Sequence, residues 1–223
     1  MAKNPQTVTV YGRLSYPVFS HKTAVARNLK GKYPKANPAE VAPDFNLLLE
    51  QAQYDKFMNH VKNEFFPWLL ERQAANETKN ALDKKQISQL LNVLDGDLEI
   101  QPPYVPVKVV PEKTAELAPE AVVMLKVVGN QGIDIEQKAI VNSEDEMLVP
   151  DPDILSYPVV KPISQTVHSM YGGAYVAATL NLYSYISGKL PGFSASAGVA
   201  VFKADGERFG GGMAVDEDEI FAD

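Results

Sequence analysis

The chain has 223 residues, 45% of them hydrophobic and 22% charged, and a formal net charge of −7. That length can bury a sizeable core, as one large domain or as one domain carrying an insertion. The absence of cysteine excludes disulfides, thiolate nucleophiles and Cys-ligated zinc, no apolar run approaches the ~18 residues of a membrane span, and MAKNPQTVTV lacks the apolar centre of a signal peptide, so an intracellular protein without membrane contact is expected.

The net charge conceals its own distribution. No acidic residue precedes Glu40, whereas Lys3, Arg13, Lys22, Arg27, Lys30, Lys32 and Lys35 do. After Arg208 there is no basic residue, and Asp216, Glu217, Asp218, Glu219 and Asp223 are acidic. A basic start and an acidic finish suggest a binding surface and a separate interaction tail.

In chain order, TVTVYGRL (residues 7–14) alternates as a strand does. Val8, Val10 and Leu14 face inward, Thr7, Thr9, Tyr11 and Arg13 outward, and Gly12 leaves space for a neighbour or a bend. Next, Tyr16, Phe19 and Tyr33 are interleaved with His21, Lys22, Arg27, Lys30, Lys32 and Lys35. Exposed aromatics among cations can stack on bases while the cations meet phosphates, or the aromatics can fold back onto the core. A helix is expected from Asp44, a cap after Pro43, with Leu47, Tyr54, Met58, Val61, Phe65 and Trp68 as its stripe and a kink or interruption at Pro67. A second helix is expected over about Asn80 to Leu94. The two make an insertion at about 44–94.

Asp95-Gly96-Asp97 marks a turn, after which LEIQPPYVPVKVV, AVVMLKVVG and QKAIV read as β structure. Prolines 102, 103, 106 and 111 confine the first to an edge or an extended arm, while Ala121 to Val128 reads as central, with Lys126 its one charge. Asn142 to Pro162 reads as loop. YVAATLNLYSYI (175–186) alternates again: Val176, Ala178, Leu180, Leu182 and Ile186 form a core face, while Tyr175, Tyr183 and Tyr185 lie on the other. Three tyrosines there suit base stacking or simply reflect β-propensity. Ser187 to Phe193 is expected as a loop, Ala195 to Ala204 as the last strand, and Gly210 to Gly212 as the release of the tail.

Catalytic patterns are missing. There is no GxxxxGK[ST] loop and no GxGxxG opening a helix. His21, His60 and His168 have no zinc-binding spacing, and GFSAS at 192–196 departs from GxSxG at its final residue. Asp95 and Asp97 are accounted for by their turn. Neither an enzyme, a metal site nor a cofactor is expected.

The order YGGAYVAATLNLYSY, SGKLPG, SASAGVAVFKADGERFGGG, with DGDLEIQPPY and the basic, aromatic start, resembles the phage single-stranded DNA-binding proteins related to those of podophage replication systems. The likeness is strongest from Met170 to Gly212 and weakest over 44–94. It implies an α+β, mainly β fold: an OB-fold, a five-stranded Greek-key barrel with inserted helices, as a single domain over 1–209, followed by a flexible acidic tail over 210–223. It implies sequence-independent coating and protection of single-stranded DNA in phage replication and recombination, in the cytoplasm of an infected bacterial host. Asp216, Glu217, Asp218, Glu219, Ile220 and Phe221 match the family's tail, which recruits a DNA polymerase or helicase and competes with DNA for the basic groove. Here Ala222 and Asp223 follow the aromatic residue.

The expected DNA contacts are Tyr11, Arg13, Tyr16, Phe19, Lys22 and Arg27, then Tyr104, Lys108, Lys126, Tyr183 and Tyr185. Aromatics would stack on bases and cations track phosphates. Two other classes remain open, a virion assembly protein using the β-domain as an interaction module and a general RNA or DNA chaperone. Self-association into a homo-oligomer is also left open.

Overall fold

A computed structural model describes residues 4–32, 34–75, 82–99, 104–141, 159–162 and 170–209. The expected tail, Tyr33, His168, Gly210–Gly212 and most of the expected 142–162 loop lie outside the described residues. In order, the elements are β1 (Thr7–Val18), α1 (His21–Leu29), β2 (Asp44–Leu49), α2 (Gln51–His60), α3 (Phe66–Ala74), α4 (Lys84–Asp95), β3 (Val107–Lys108), α5 (Glu112–Leu117), β4 (Val123–Val128), β5 (Glu136–Val141), β6 (Val159–Pro162), β7 (Tyr175–Ser187), β8 (Leu190–Ser196) and β9 (Val199–Ala204). The fold is mixed α+β. No helix of the described residues is long and apolar enough to cross a membrane.

Strands β1, β2, β4, β8 and β7 pair in a cycle, since β1 also pairs with β7. The inward residues expected on β1 and β7 are core: Val8, Val10, Leu14, Val176, Ala178, Leu180 and Leu182 are all buried. Gly12 permits β2 to lie close, because a Cβ there would sit 2.6 Å from the Leu48 carbonyl oxygen. The cycle is thinnest at the parallel β4–β8 contact, where only Val127↔Ala195 and Val128↔Ser196 pair. Beyond that point residues 104–108 fill the seam. Tyr104 N–H donates to the Pro191 carbonyl (3.2 Å), and its own carbonyl accepts from Phe193 N–H (3.1 Å). On the other side Val107 pairs with Leu125, and Lys126 N–H donates to the Pro106 carbonyl (2.9 Å). Residues 104–108 are therefore a strap between two strands rather than a free edge. Pro106 lacks a donor but supplies an acceptor.

Four expectations are corrected by the pairing. Asp44–Leu49 is a strand, not the start of a helix, and the helix begins at Gln51. A short apolar run is locally ambiguous. Hydrogen-bonded neighbours on both edges, β1 and β4, decide it. Ser187–Phe193 is mostly β8, so the expected final strand is two strands, β8 and β9. Val159–Pro162 pairs with β5 within the expected loop. Ile186 is exposed because β7 runs past the core into the hairpin tip.

The helices close one side of the core. At Pro67 the helical path continues through a widened π turn, Val61–Phe65, in which Phe66 N–H reaches back to the Val61 carbonyl. That turn accommodates a ring that would clash in a regular helix. Without Leu47, which lies on β2, the stripe from Tyr54 to Trp68 survives, and Phe65 and Phe66 pack on Phe193 of β8 with centroids 6.0 and 5.5 Å apart. Helix α4 is held by a reciprocal cap, with the Asp83 carboxylate accepting from Gln86 N–H and the Gln86 side chain accepting from Asp83 N–H.

Candidate nucleic-acid interface

Three of the expected aromatics converge on the β7–β8 hairpin. Tyr183 and Tyr185 leave β7 on its outer face, with ring centroids 6.4 Å apart. The strap brings Tyr104 beside them through its bridge to Gly192. Gly192 is opposite Tyr185 in the ladder, and the ring lies across it, since a Cβ would sit 2.6 Å from the ring carbon bearing the hydroxyl. Tyr183 is 39% and Tyr104 36% exposed. Burial, then the neighbouring Tyr183 and Tyr104 phenols, push the Tyr185 hydroxyl above the usual phenol range. The cluster presents partly exposed rings on a rigid ladder, the geometry that base stacking uses.

The strap also leads to the expected cations. Lys108 is exposed on β3 opposite Met124, and Lys126 lies two residues further along β4. Lys126 opens on a cleft of about 320 Å³ between α1 and the β2–β4 pair, with Arg27, Asn28 and Lys35 at its rim and Val41 and Val128 among its apolar lining. Asp44 lies between the two basic groups: Arg27 Nη2 donates to Asp44 Oδ1 at 2.6 Å, and Lys126 Nζ is 3.7 Å from Oδ2. Lys35 Nζ donates to the Glu40 carbonyl (2.7 Å), which leaves its charge unneutralised by that contact. Cleft, strap and hairpin form one lane, running from Arg27 and Lys126 past Lys108 to Tyr104, Tyr185 and Tyr183. Asp44 and Lys35 were not among the expected contacts. Asp44 read as a helix cap, and its placement between two cations depends on strand pairing that only the fold reveals.

The other expected contacts divide. Lys22 is exposed on α1 but is not among the residues lining the cleft. Tyr16 is 67% exposed with a positive φ of 49°, at the irregularity where β1 shifts register against β2. Tyr11 is half-buried, with the Lys56 and Lys203 ammonium groups 5.5 and 5.3 Å from its ring centroid. Its register partner is Ala177, so about 20 Å of β7 separates it from Tyr183. Arg13 corrects the expectation of an outward cation. It is 6% exposed, its guanidinium donates to the carbonyls of Gly173, Leu117 and Glu207 and to Glu120, and the Tyr175 and Phe209 rings flank it. Phe19 is likewise buried, 5.5 Å from Phe45, and belongs to the core. Among the described residues no group of three or more His, Asp or Glu side chains is placed to hold a metal ion.

Set against solved structures, the chain is similar to the single-stranded DNA-binding protein from bacteriophage Enc34, with a TM-score of 0.50 and 14% identity over 99% of this chain and 96% of that one. The chain has the fold of a phage single-stranded DNA-binding protein. A C-terminal truncation of the Enc34 protein matches at a TM-score of 0.50 and 13% identity, over 93% of this chain and 94% of that one. At such identities the likeness is one of fold. No family model matches the sequence, and neither does any curated protein.

Proposed function

We propose that this protein binds and protects single-stranded DNA without sequence preference, as a non-catalytic coating protein of phage replication and recombination. The observation that carries the reading is the lane itself, with Arg27, Lys126 and Lys108 leading to Tyr104, Tyr185 and Tyr183 on a fold similar to that of the Enc34 protein. The cycle β1–β2–β4–β8–β7 has the antiparallel and parallel pairings of an OB barrel, which supports that assignment of the domain over 1–209. Stacked aromatics are worth roughly 1–3 kcal/mol per base, and cations on phosphates make affinity fall with salt at about −0.7 per phosphate.

The acidic segment Asp216–Glu217–Asp218–Glu219–Ile220–Phe221 is proposed as a tethered competitor for the lane, and as the contact for a phage or host polymerase or helicase. The test is a salt-dependent oligo-dT titration of the full chain and of one lacking residues 213–223. Tyrosine quenching, an affinity that falls with salt, and preference over duplex DNA and RNA are expected. Removal of the tail should tighten binding at low salt. Absence of binding at low salt would overturn the function, and unchanged affinity without the tail would overturn the competition.

A further inference from the structure

The basic end of the lane contains its own anion. Asp44 is the residue at which β2 begins, paired to Val128 in the ladder, so its carboxylate is fixed at the mouth of the cleft. It is shared between Arg27 and Lys126, at 2.6 and 3.7 Å, and both cations are nearly half exposed. The Asp44 side chain is itself only 20% exposed, so the carboxylate stays in place while another anion can approach the two cations from solvent. A DNA phosphate is such an anion: monoanionic, oxygen-bearing, and matched by a guanidinium beside an ammonium.

Resting on the proposed function, we infer that Asp44 is a built-in competitor for backbone phosphate, occupying Arg27 and Lys126 in the free protein and weakening the DNA complex. The two cations and one carboxylate carry a net charge of +1 as a group, so the incoming strand releases one counterion fewer there than two free cations would. A fixed carboxylate a few ångströms from the phosphate also repels it, by an amount that salt reduces. The device keeps occupancy reversible at a position where guanidinium, ammonium and cleft coincide.

The test is Asp44→Asn in the full chain, titrated with oligo-dT from low to high salt. Affinity should rise roughly three- to tenfold at low salt, and the plot of log K against log salt should steepen by about 0.7. Asp95→Asn is the control, because it removes the same charge from a carboxylate that pairs with Lys62 instead (2.6 Å). It should shift binding less and leave the slope near that of the native chain. Arg27→Gln should cost more in the Asp44→Asn background than in the native chain. Should Asp44→Asn melt too low to titrate, native-background variants carry the same information. Lys108, which has no ion pair among the described residues, should then lose more affinity as Lys108→Gln than Arg27 does as Arg27→Gln. A native chain that ignores oligo-dT overturns the proposed function. A native chain that binds, with Asp44→Asn no tighter and no steeper, overturns this inference alone.

Discussion

Arg13 and Tyr183 leave the sheet on the same side and reach opposite environments. Alternation along β1 and β7 fixes that side but not whether the side chain reaches solvent. What lies above each was not legible, because Glu120, Glu207 and Phe209 come from distant stretches of chain and cover only Arg13. Because Arg13 makes four hydrogen bonds, one of them to the Glu120 carboxylate, Arg13→Ala should lower stability by about 2–4 kcal/mol. Below its reduced melting temperature the variant should keep most of its oligo-dT affinity, a combination that calorimetry and titration together can check. Tyr183→Ala and Tyr185→Ala should do the reverse, each costing roughly 1–3 kcal/mol of binding with a smaller effect on melting.

At the scale of elements, helices with a full amphipathic stripe were legible, as α4 illustrates. The chain at 44–49 was not, because Asp44 after Pro43 carries the same local signal as a helix cap and its strand neighbours lie elsewhere in the sequence. The β7–β8 hairpin shows how a ladder positions a candidate stacking ring. Gly192 provides the flat floor on which Tyr185 lies. Gly192→Ala should therefore displace that ring and lose affinity comparable to Tyr185→Ala, about 1–3 kcal/mol. Parallel titrations of the two variants would compare them, and additivity in the double variant would count against a shared cause.

For the whole molecule, the mixed α+β character and the likeness to phage single-stranded DNA-binding proteins were legible in the motifs, while the lane emerged only once the strap at 104–108 joined strands that are remote in sequence. The salt dependence expected of the proposed binding belongs at this scale, since every cation along the lane would contribute to one slope. A different consequence follows from the pairing of Thr7 with Asn181. During synthesis at roughly 5–20 residues per second, β1 waits on the order of ten to thirty-five seconds for that partner to leave the ribosome. Until then one edge of a strand near the start of the chain has open donors and acceptors, and no cycle can close. A chain ending before Tyr175 should accordingly give no cooperative melt. In the interval before its last fifth arrives, the nascent protein thus carries an unclosed, adhesive sheet edge, and its yield in a cell should depend on how fast translation is completed.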